Sequence, residues 1–390
     1  MSGVLTYLGV FFVAMATLML AVLLTRITSV SAWYHLAFFV ISLGMLGMTA
    51  GAVTVFVAPR LFERTVVPAR MAQSALGFTI VAPLSVAFAL SVPLSSVSDV
   101  MSFVALLGTG AILALPFILA GVTLALALTR AGLAANVAYG VDLVGAAMGC
   151  IAILPLLDSV DAPSAALIAA AVGGVGASAF ALSARRSLAS SVISTVVLVA
   201  AGLWNARAEP PALRPAWVKG AREDYKAFEY VGWNTYSRIT VGHTVNQIPA
   251  FWAFGPSIPP EALAPIDQRT ILIDGAAGTS MARLGAGLAS HGYLAWDVTA
   301  FAHNLRPSGP AAVIGVGGGR DLLEAARVGH SPVVGVELNQ LIVKLHSEIM
   351  RDFSGLLTIP GIELVNDEAR SFMAREERQF TVLTMSLIDT

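Results

Sequence analysis

The sequence predicts a polytopic α-helical membrane domain of about seven spans, followed by an α/β domain built on a parallel sheet. Of its 390 residues, 56% are hydrophobic and only 12% are charged, whereas soluble domains carry about 25% charged residues. The charge is also uneven, because residues 1–204 hold 7 Lys/Arg and 5 Asp/Glu, and residues 205–390 hold 16 and 19. A wholly soluble protein is therefore excluded. The net charge of −1 gives no basic excess, so we expect no nucleic-acid partner.

Seven apolar runs in residues 1–204 predict membrane spans, since a helix needs about 20 apolar residues to cross a hydrocarbon core of about 30 Å. We therefore expect an integral membrane protein in contact with lipid. The Lys and Arg residues of the short loops divide almost equally between the two sides, so they do not set the orientation. A C-terminal domain that binds a cytosolic nucleotide-type ligand would be cytoplasmic. The runs are Val4–Thr25, Trp33–Ala58, Ala75–Leu94, Phe103–Thr129, Val137–Leu157, Pro163–Ala184 and Leu188–Trp204, the last being the shortest.

Small and ionisable residues within these runs suggest packing contacts and one polar position. Gly47 with Gly51, and Gly145 with Gly149, have the four-residue spacing that lets helix backbones approach closely, and ordinary packing explains them. Asp142 is an acid inside a span, which costs at least about 2.5 kcal/mol at a helix centre. It either forms a polar site with a nearby tyrosine, Tyr139, or lies near the helix end, bonded to a hydroxyl or backbone group.

A linker is predicted over residues 205–228, where Pro210, Pro211 and Pro215 disfavour both helix and strand. The single cysteine of the chain has no partner within it, so an intrachain disulfide is excluded and the redox compartment stays open. Residues 229–305 predict a small β-containing part, because Glu229–Val241 ends in a period-two pattern and Thr270–Asp274 is a short β-type run.

Residues 306–390 predict a nucleoside-binding domain. An apolar strand over Ala311–Gly315 is followed by a glycine cluster, a helical pattern and a second apolar strand that ends at Glu337. Gly315, Gly317 and Gly319 lie where strand turns into helix, so a ligand can approach the backbone there. Glu337 follows Gly317 by 20 residues, the distance at which an acid can bind ribose hydroxyls. The alternative is a β–α turn shaped by packing, with Glu337 only capping it.

Two further strands bring more polar residues to the same edge of the sheet. Ile362–Val365 and Phe380–Leu387 read as the third and fourth strands, and ligands of such sheets bind at the carboxyl ends of the strands. The residues at those ends become candidates by position: Asp367, Glu368, Ser386 and Asp389. Because a fourth strand so near the end of the sequence would lack partners and cover, we expect this domain to be C-terminally truncated, as part of a longer polypeptide.

The sequence resembles the spermidine/spermine synthase family (polyamine aminopropyltransferases), specifically its bacterial membrane-fused members. The similarity covers most of the chain, and its most specific part is Val313–Asp389. The motifs that carry it are VIGVGGGRDLLEA, VVGVELN, IELVNDEARSF and FTVLTMSLIDT, preceded by WNTYSRI and ILIDG, with WYHLAFFVISLGMLGMTAGA and YGVDLVGAAMGC in the membrane half.

The resemblance implies a Rossmann-like, methyltransferase-type fold in a bacterial inner-membrane protein. It implies decarboxylated S-adenosylmethionine or S-adenosylmethionine as co-substrate, a polyamine as acceptor, and neither a permanently bound cofactor nor a metal. Carried over by position, the three glycines match the glycine loop, Glu337 the ribose acid, and Glu368 or Asp367 the acid near the adenine. The family has an aspartate where this sequence has Gly318. It also has an Asp-Ser-x-Asp segment where this sequence has Ser386-Leu387-Ile388-Asp389, so Ser386 and Asp389 are the candidate catalytic residues.

Three functions are compatible with these residues. The first is a membrane-anchored transferase of the aminopropyl or methyl type that uses a sulfonium nucleoside. The second is a non-catalytic sensor or transport-coupled module, in which a bound nucleoside or polyamine acts on the helical bundle. The third, a nicotinamide oxidoreductase, shares only the glycine loop. The oligomeric state is left open.

Overall fold

The computed structural model describes residues 2–33, 35–94 and 99–386. The chain divides into two compact units. The first comprises Met1–Tyr225 and Trp233–Thr235, and the second comprises Lys226–Gly232 and Tyr236–Thr390.

The first unit is helical. Among the described residues, six helices are long and apolar enough to cross a membrane, with mean hydropathies between 1.8 and 2.5 over their most apolar 18 residues. The seventh helix is apolar but has only 17 residues, so the seventh span remains a prediction. The helices are α1 (Ser2–Ser31), α2 (His35–Val57), α3 (Val67–Ser91), α4 (Val100–Thr129), α5 (Ala135–Leu157), α6 (Ala162–Ser183) and α7 (Ala189–Asn205).

Both glycine pairs lie at close helix contacts, as their spacing predicts. A Cβ built on Gly51 of α2 would stand 2.3 Å from the Ile118 carbonyl oxygen of α4. A Cβ on Gly145 of α5 would stand 2.4 Å from the Phe11 carbonyl oxygen of α1. Only glycine permits these backbone approaches. Asp142 is partly buried in α5, and its carboxylate forms no hydrogen bond within residues 2–33, 35–94 and 99–386, so its role stays a prediction.

Charged residues between the helices act as caps. The Asp99 carboxylate accepts from Ser102 N at 2.7 Å and begins α4, and the Asp161 carboxylate accepts from Ser164 N at 2.9 Å and begins α6. Arg130, after α4, donates to the carbonyl oxygens of Phe62 at 2.9 Å and of Val55 at 3.1 Å. These contacts satisfy backbone groups that helix ends leave unpaired.

The second half of the predicted linker over residues 205–228 contains a short hairpin. Strands β1 (Trp217–Val218) and β2 (Ala221–Arg222) pair antiparallel. Lys219 and Gly220 between them have φ of +52° and +83°, which is the geometry of a two-residue hairpin turn. The three prolines precede this hairpin and do not interrupt it.

The second unit contains an antiparallel sheet of five strands. Four of them follow the order β3-β4-β6-β5, and the fifth, β7, also pairs with β6. β6 and β7 pair over six residues, and this makes β7 the neighbour of the glycine loop described below. The strands are β3 (Phe228–Trp233), β4 (Arg238–Gly242), β5 (Val245–Gln247), β6 (Ile266–Ile273) and β7 (Ala277–Ala282).

A four-stranded sheet follows in the order β10-β9-β8-β11, and all its strands are parallel. Helices alternate with its strands along the chain, as the periodicity predicts. These elements are α8 (Phe301–Leu305), β8 (Gly309–Ile314), α9 (Arg320–Arg327), β9 (His330–Glu337), α10 (Gln340–Lys344), α11 (Arg351–Ser354), β10 (Ile362–Asn366), α12 (Ala369–Arg375) and β11 (Val382–Met385).

One core joins the two sheets of the second unit. Ile239 and Ile271 of the antiparallel sheet are fully buried with Val313 and Val333 of the parallel sheet. The opposite face of the parallel sheet packs against α12 through Phe372. The parallel strands are therefore covered on both faces, as their continuous apolar sequences require.

Candidate functional site

The predicted site residues meet at the carboxyl edge of the parallel sheet. Ile314 pairs with Met385 on one side and with Val336 on the other. One residue further along each strand, the four neighbouring strands place Asn366, Glu337, Gly315 and Ser386 side by side. The structure thus brings the glycine loop, the strand-end acid and the serine to one edge. Asp389 lies outside the described residues.

The glycine loop joins β8 to α9 and uses the conformational freedom that the sequence predicts. Gly315, Gly317 and Gly319 have φ of +80°, +49° and +84°. Residues with a Cβ avoid this left-handed region. Gly319 directly precedes α9, so the loop turns the chain from strand to helix within five residues.

Every backbone amide of residues 315–319 donates a hydrogen bond within the protein. A loop that binds phosphate keeps its amides directed at the ligand instead. This loop therefore offers no anion cradle. The acceptors are the Val336 carbonyl for Gly315 (2.9 Å), the Glu337 carboxylate for Val316 (2.9 Å) and Gly317 (3.4 Å), the Thr279 hydroxyl for Gly318 (3.2 Å) and the Val316 carbonyl for Gly319 (2.8 Å).

Glu337 connects the end of β9 to the glycine loop. Its Oε2 accepts from Val316 N and Gly317 N, and its Oε1 accepts from Asn339 N at 2.9 Å. The residue is only 9% exposed. A carboxylate can accept about four hydrogen bonds, so one position remains for a ligand hydroxyl. Capping the loop and binding a ribose are therefore compatible in this residue.

Strand β7 explains why glycine occupies position 318. A Cβ on Gly318 would stand 2.0 Å from the Ser280 carbonyl oxygen and 2.4 Å from its carbon. No side chain fits there unless β7 moves. The aspartate that the resembled family has at this position is thus sterically incompatible with the arrangement of β7 seen here.

His346 supports the loop from the opposite side, and sequence reasoning missed it. Its Nε2 lies 2.8 Å from the Gly317 carbonyl oxygen, and its Nδ1 lies 2.6 Å from the Ser354 hydroxyl. Because a carbonyl only accepts, Nε2 carries the proton and Nδ1 accepts from the hydroxyl. Complete burial lowers the pKa of His346 to about 4, so the ring is neutral at pH 7. A lone histidine in a helical run gives no sequence signal for this contact.

A buried ion pair fixes the start of α9. Arg320 pairs with Asp297, whose side chain is 1% exposed, and donates to the Ala250 carbonyl at 2.9 Å. Asp297 also accepts from Trp252 N at 2.9 Å. These contacts connect the glycine loop to two segments that precede the parallel sheet. Asp297 was not predicted, because its partner lies 23 residues further along the chain.

A small cavity beneath Gly318 has room for about one water molecule and is too small for a nucleoside. Burial raises the pKa of Tyr293 in its wall to about 12, so this phenol is neutral. The residues around the cavity include Gln268, Ser280, Tyr293, Gly318 and Arg320.

The two acids after β10 are engaged with protein groups. Glu368 begins α12, accepting from Arg370 N at 3.2 Å and Ser371 N at 3.0 Å, and these bonds lower its pKa to about 2. Asp367 pairs with Arg375, while its backbone amide donates to the Glu337 carbonyl at 3.1 Å. Asp367 therefore adjoins Glu337 through the backbone, and Glu368 serves as a helix cap.

Comparisons with protein-family models, with curated proteins and with solved structures give no match to this chain.

Proposed function

We propose that the second unit is a Rossmann-like domain that binds a nucleoside at the carboxyl edge of its parallel sheet. The observation that carries this proposal is the bonding of Glu337, at the end of β9, to the loop of three positive-φ glycines after β8. The strand order β10-β9-β8-β11 matches the 3-2-1-4 order with which doubly wound nucleotide-binding sheets begin. One acceptor position of Glu337 is available for a ribose hydroxyl.

The hydrogen bonding of the loop supports a ligand without phosphate. All five loop amides already have acceptors, so a pyrophosphate would find no donors there. This feature favours a nucleoside without phosphate, such as S-adenosylmethionine or its decarboxylated form, over a nicotinamide dinucleotide.

The proposed reaction is transfer of an aminopropyl group to a polyamine. The amine nitrogen forms a bond to the carbon beside the sulfonium, the carbon–sulfur bond breaks to leave a neutral thioether, and the amine proton passes to a base. Ser386 lies at the site edge next to Gly315 and orients the amine in this proposal, while Asp389 accepts the proton. A serine hydroxyl at its ordinary acidity cannot replace a carboxylate as the base.

The proposal places this site on a membrane-anchored protein. The six long apolar helices support membrane insertion. A cytosolic nucleoside would place the second unit on the cytoplasmic side of a bacterial inner membrane.

Isothermal titration of the full chain in nanodiscs tests the binding proposal. We expect binding of decarboxylated S-adenosylmethionine or S-adenosylmethionine and none of NAD⁺. The test variant is Glu337→Gln, which keeps the side-chain size but replaces one of the two acceptor oxygens with an NH2 donor, so it should bind the nucleoside more weakly. Absence of binding to either sulfonium nucleoside would refute the proposal.

A second candidate is a binding protein without transfer activity. It is favoured by Ser386, a neutral residue at the end of β11 where the resembled family has an acid. A product assay with putrescine or spermidine as acceptor separates the two. Binding without product in that assay supports the sensor, and thioether formation that depends on the amine supports the transferase.

A further inference from the structure

Two segments of the second unit form an exposed aromatic ribbon, defined here as residues 250–254 and 296–301 with the rest of α8. Phe254 and Asp297 pair as an antiparallel bridge. Val298 N donates to the Ala253 carbonyl at 2.9 Å. The Asp297–Arg320 pair and the Trp252 N bond to Asp297 hold the ribbon against the start of α9.

Large apolar side chains of this ribbon are turned to solvent. Six of them have solvent-exposed fractions of 41% or more: Trp252 (44%), Phe254 (50%), Trp296 (41%), Val298 (59%), Phe301 (66%) and Leu305 (63%). Trp296 and Val298 flank the buried Asp297, so they lie on the other face of the ribbon from Asp297 and its bridge partner Phe254. So many exposed apolar side chains along one short ribbon indicate an interaction surface.

The ribbon carries no exposed ionised side chain. Residues 250–257 contain no charged residue, and residues 292–305 contain only Asp297, which is buried and paired with Arg320. His303 in α8 is 1% exposed, and its burial lowers its pKa, so it is neutral at pH 7. Removing the ribbon from water therefore costs no desolvation of a charge.

We propose that the aromatic ribbon docks on the interfacial region of a lipid bilayer, an inference that rests on the membrane insertion in the proposed function. Tryptophan and phenylalanine are side chains suited to the interfacial region. The ribbon presents six such side chains, fewer than the about 20–30 residues a side that a stable protein interface uses. Because the membrane helices keep the second unit near the bilayer, even weak partitioning suffices. Docking would hold the nucleoside site, whose glycine loop joins the ribbon through Arg320, close to the membrane surface.

Spin-label accessibility in phosphatidylcholine nanodiscs tests this proposal on the full chain. Phe254→Cys is labelled with a nitroxide in a Cys150→Ala background, and Glu377→Cys, an exposed polar position of the same unit, is the matched control. We expect a higher ratio of collisions with oxygen to collisions with a nickel chelate at position 254 than at 377. Val298→Cys should behave like Phe254→Cys, which guards against a local folding defect in one variant.

Equal ratios at 254, 298 and 377 would overturn the proposal. Spin–spin broadening at position 254 that disappears on dilution with unlabelled chain would identify a second copy as the occupant and would also overturn it. Resistance of the chain to alkaline carbonate extraction tests membrane insertion separately. A ribbon that fails to dock in a carbonate-resistant chain refutes this inference alone.

Discussion

Replacing Gly318 with alanine tests how closely β7 covers the glycine loop. The new Cβ would lie 2.0 Å from the Ser280 carbonyl oxygen and 2.9 Å from Met281 N. These are backbone atoms of a paired strand. The strand β7 itself would have to move, because no flexible side chain is there to give way. The φ of Gly318 is not positive, so the backbone at this position accepts alanine and the effect is steric.

The magnitude follows from two opposing terms. Overpacking costs about 1–3 kcal/mol, and the loss of unfolded-state entropy from glycine to alanine returns about 0.4–1 kcal/mol. The two ranges give a net loss of roughly 0–2.6 kcal/mol in the free energy of unfolding of the second unit, and we expect the upper half of this range because the atoms that must move belong to the backbone of a paired strand. Gly292→Ala is the matched control, because no heavy atom lies within 4 Å of its Cβ position, and it should be neutral or stabilising.

Limited proteolysis of the full chain over a temperature series, followed on fragments of the second unit, measures this difference. Gly318→Ala should be cleaved at a lower temperature than the native chain and Gly292→Ala, and its affinity for the sulfonium nucleoside should fall. If Gly318→Ala and Gly292→Ala behave alike, the close approach of β7 is wrong.

Four other predictions follow. Glu337→Gln replaces one acceptor oxygen with a donor, so at least one of the backbone amides of Val316, Gly317 and Asn339 loses its acceptor; proteolysis should show a loss of about 1–3 kcal/mol, and an unchanged stability would contradict the bonding described. The pKa of the buried His346 is about 4 in the folded chain and 6.5 in the unfolded chain. The free energy of unfolding should therefore fall by about 3 kcal/mol as the pH drops from 6.5 to 4. His346→Gln should flatten this pH dependence, and an unchanged slope in the variant would contradict the role of His346. Asp297→Asn leaves Arg320 buried without its counter-charge and should cost roughly 3–5 kcal/mol, whereas an equally stable variant would refute the buried pair. Ser386→Asp supplies a carboxylate at the position that orients the cationic amine in the proposal, so the product assay with a diamine should show faster transfer, and a rate no higher than that of the native chain would argue against placing the amine at this position.

The elements of the parallel sheet could be predicted because each rests on a local pattern. The strand that ends at Glu337 and the helix after Gly319 follow from apolar periodicity and from glycine at a β–α turn. The shared edge then follows from topology, since parallel strands bring their carboxyl ends together. Gly315, Glu337 and Ser386 meet for this reason.

The contacts that shape the glycine loop could not be predicted from the sequence. Strand β7, with the sequence AGTSMA, has neither alternation nor β-branched residues enough to indicate a strand, yet its Ser280 carbonyl determines what fits at position 318. His346 and Asp297 act through tertiary contacts with residues 29 and 23 positions away. The cap that Glu368 forms at the start of α12 could not be predicted either, since position alone made this residue only a candidate for ligand contact.

The central claim is that a sulfonium nucleoside binds at the carboxyl edge of the parallel sheet against Glu337. An experimental structure of the full chain with S-adenosylmethionine or its decarboxylated form bound tests it most directly. We predict a ribose hydroxyl within hydrogen-bond distance of the Glu337 carboxylate, with the Val316 and Gly317 amides still bonded to that side chain. A nucleoside bound elsewhere, or one that leaves Glu337 without a ligand contact, would contradict the account.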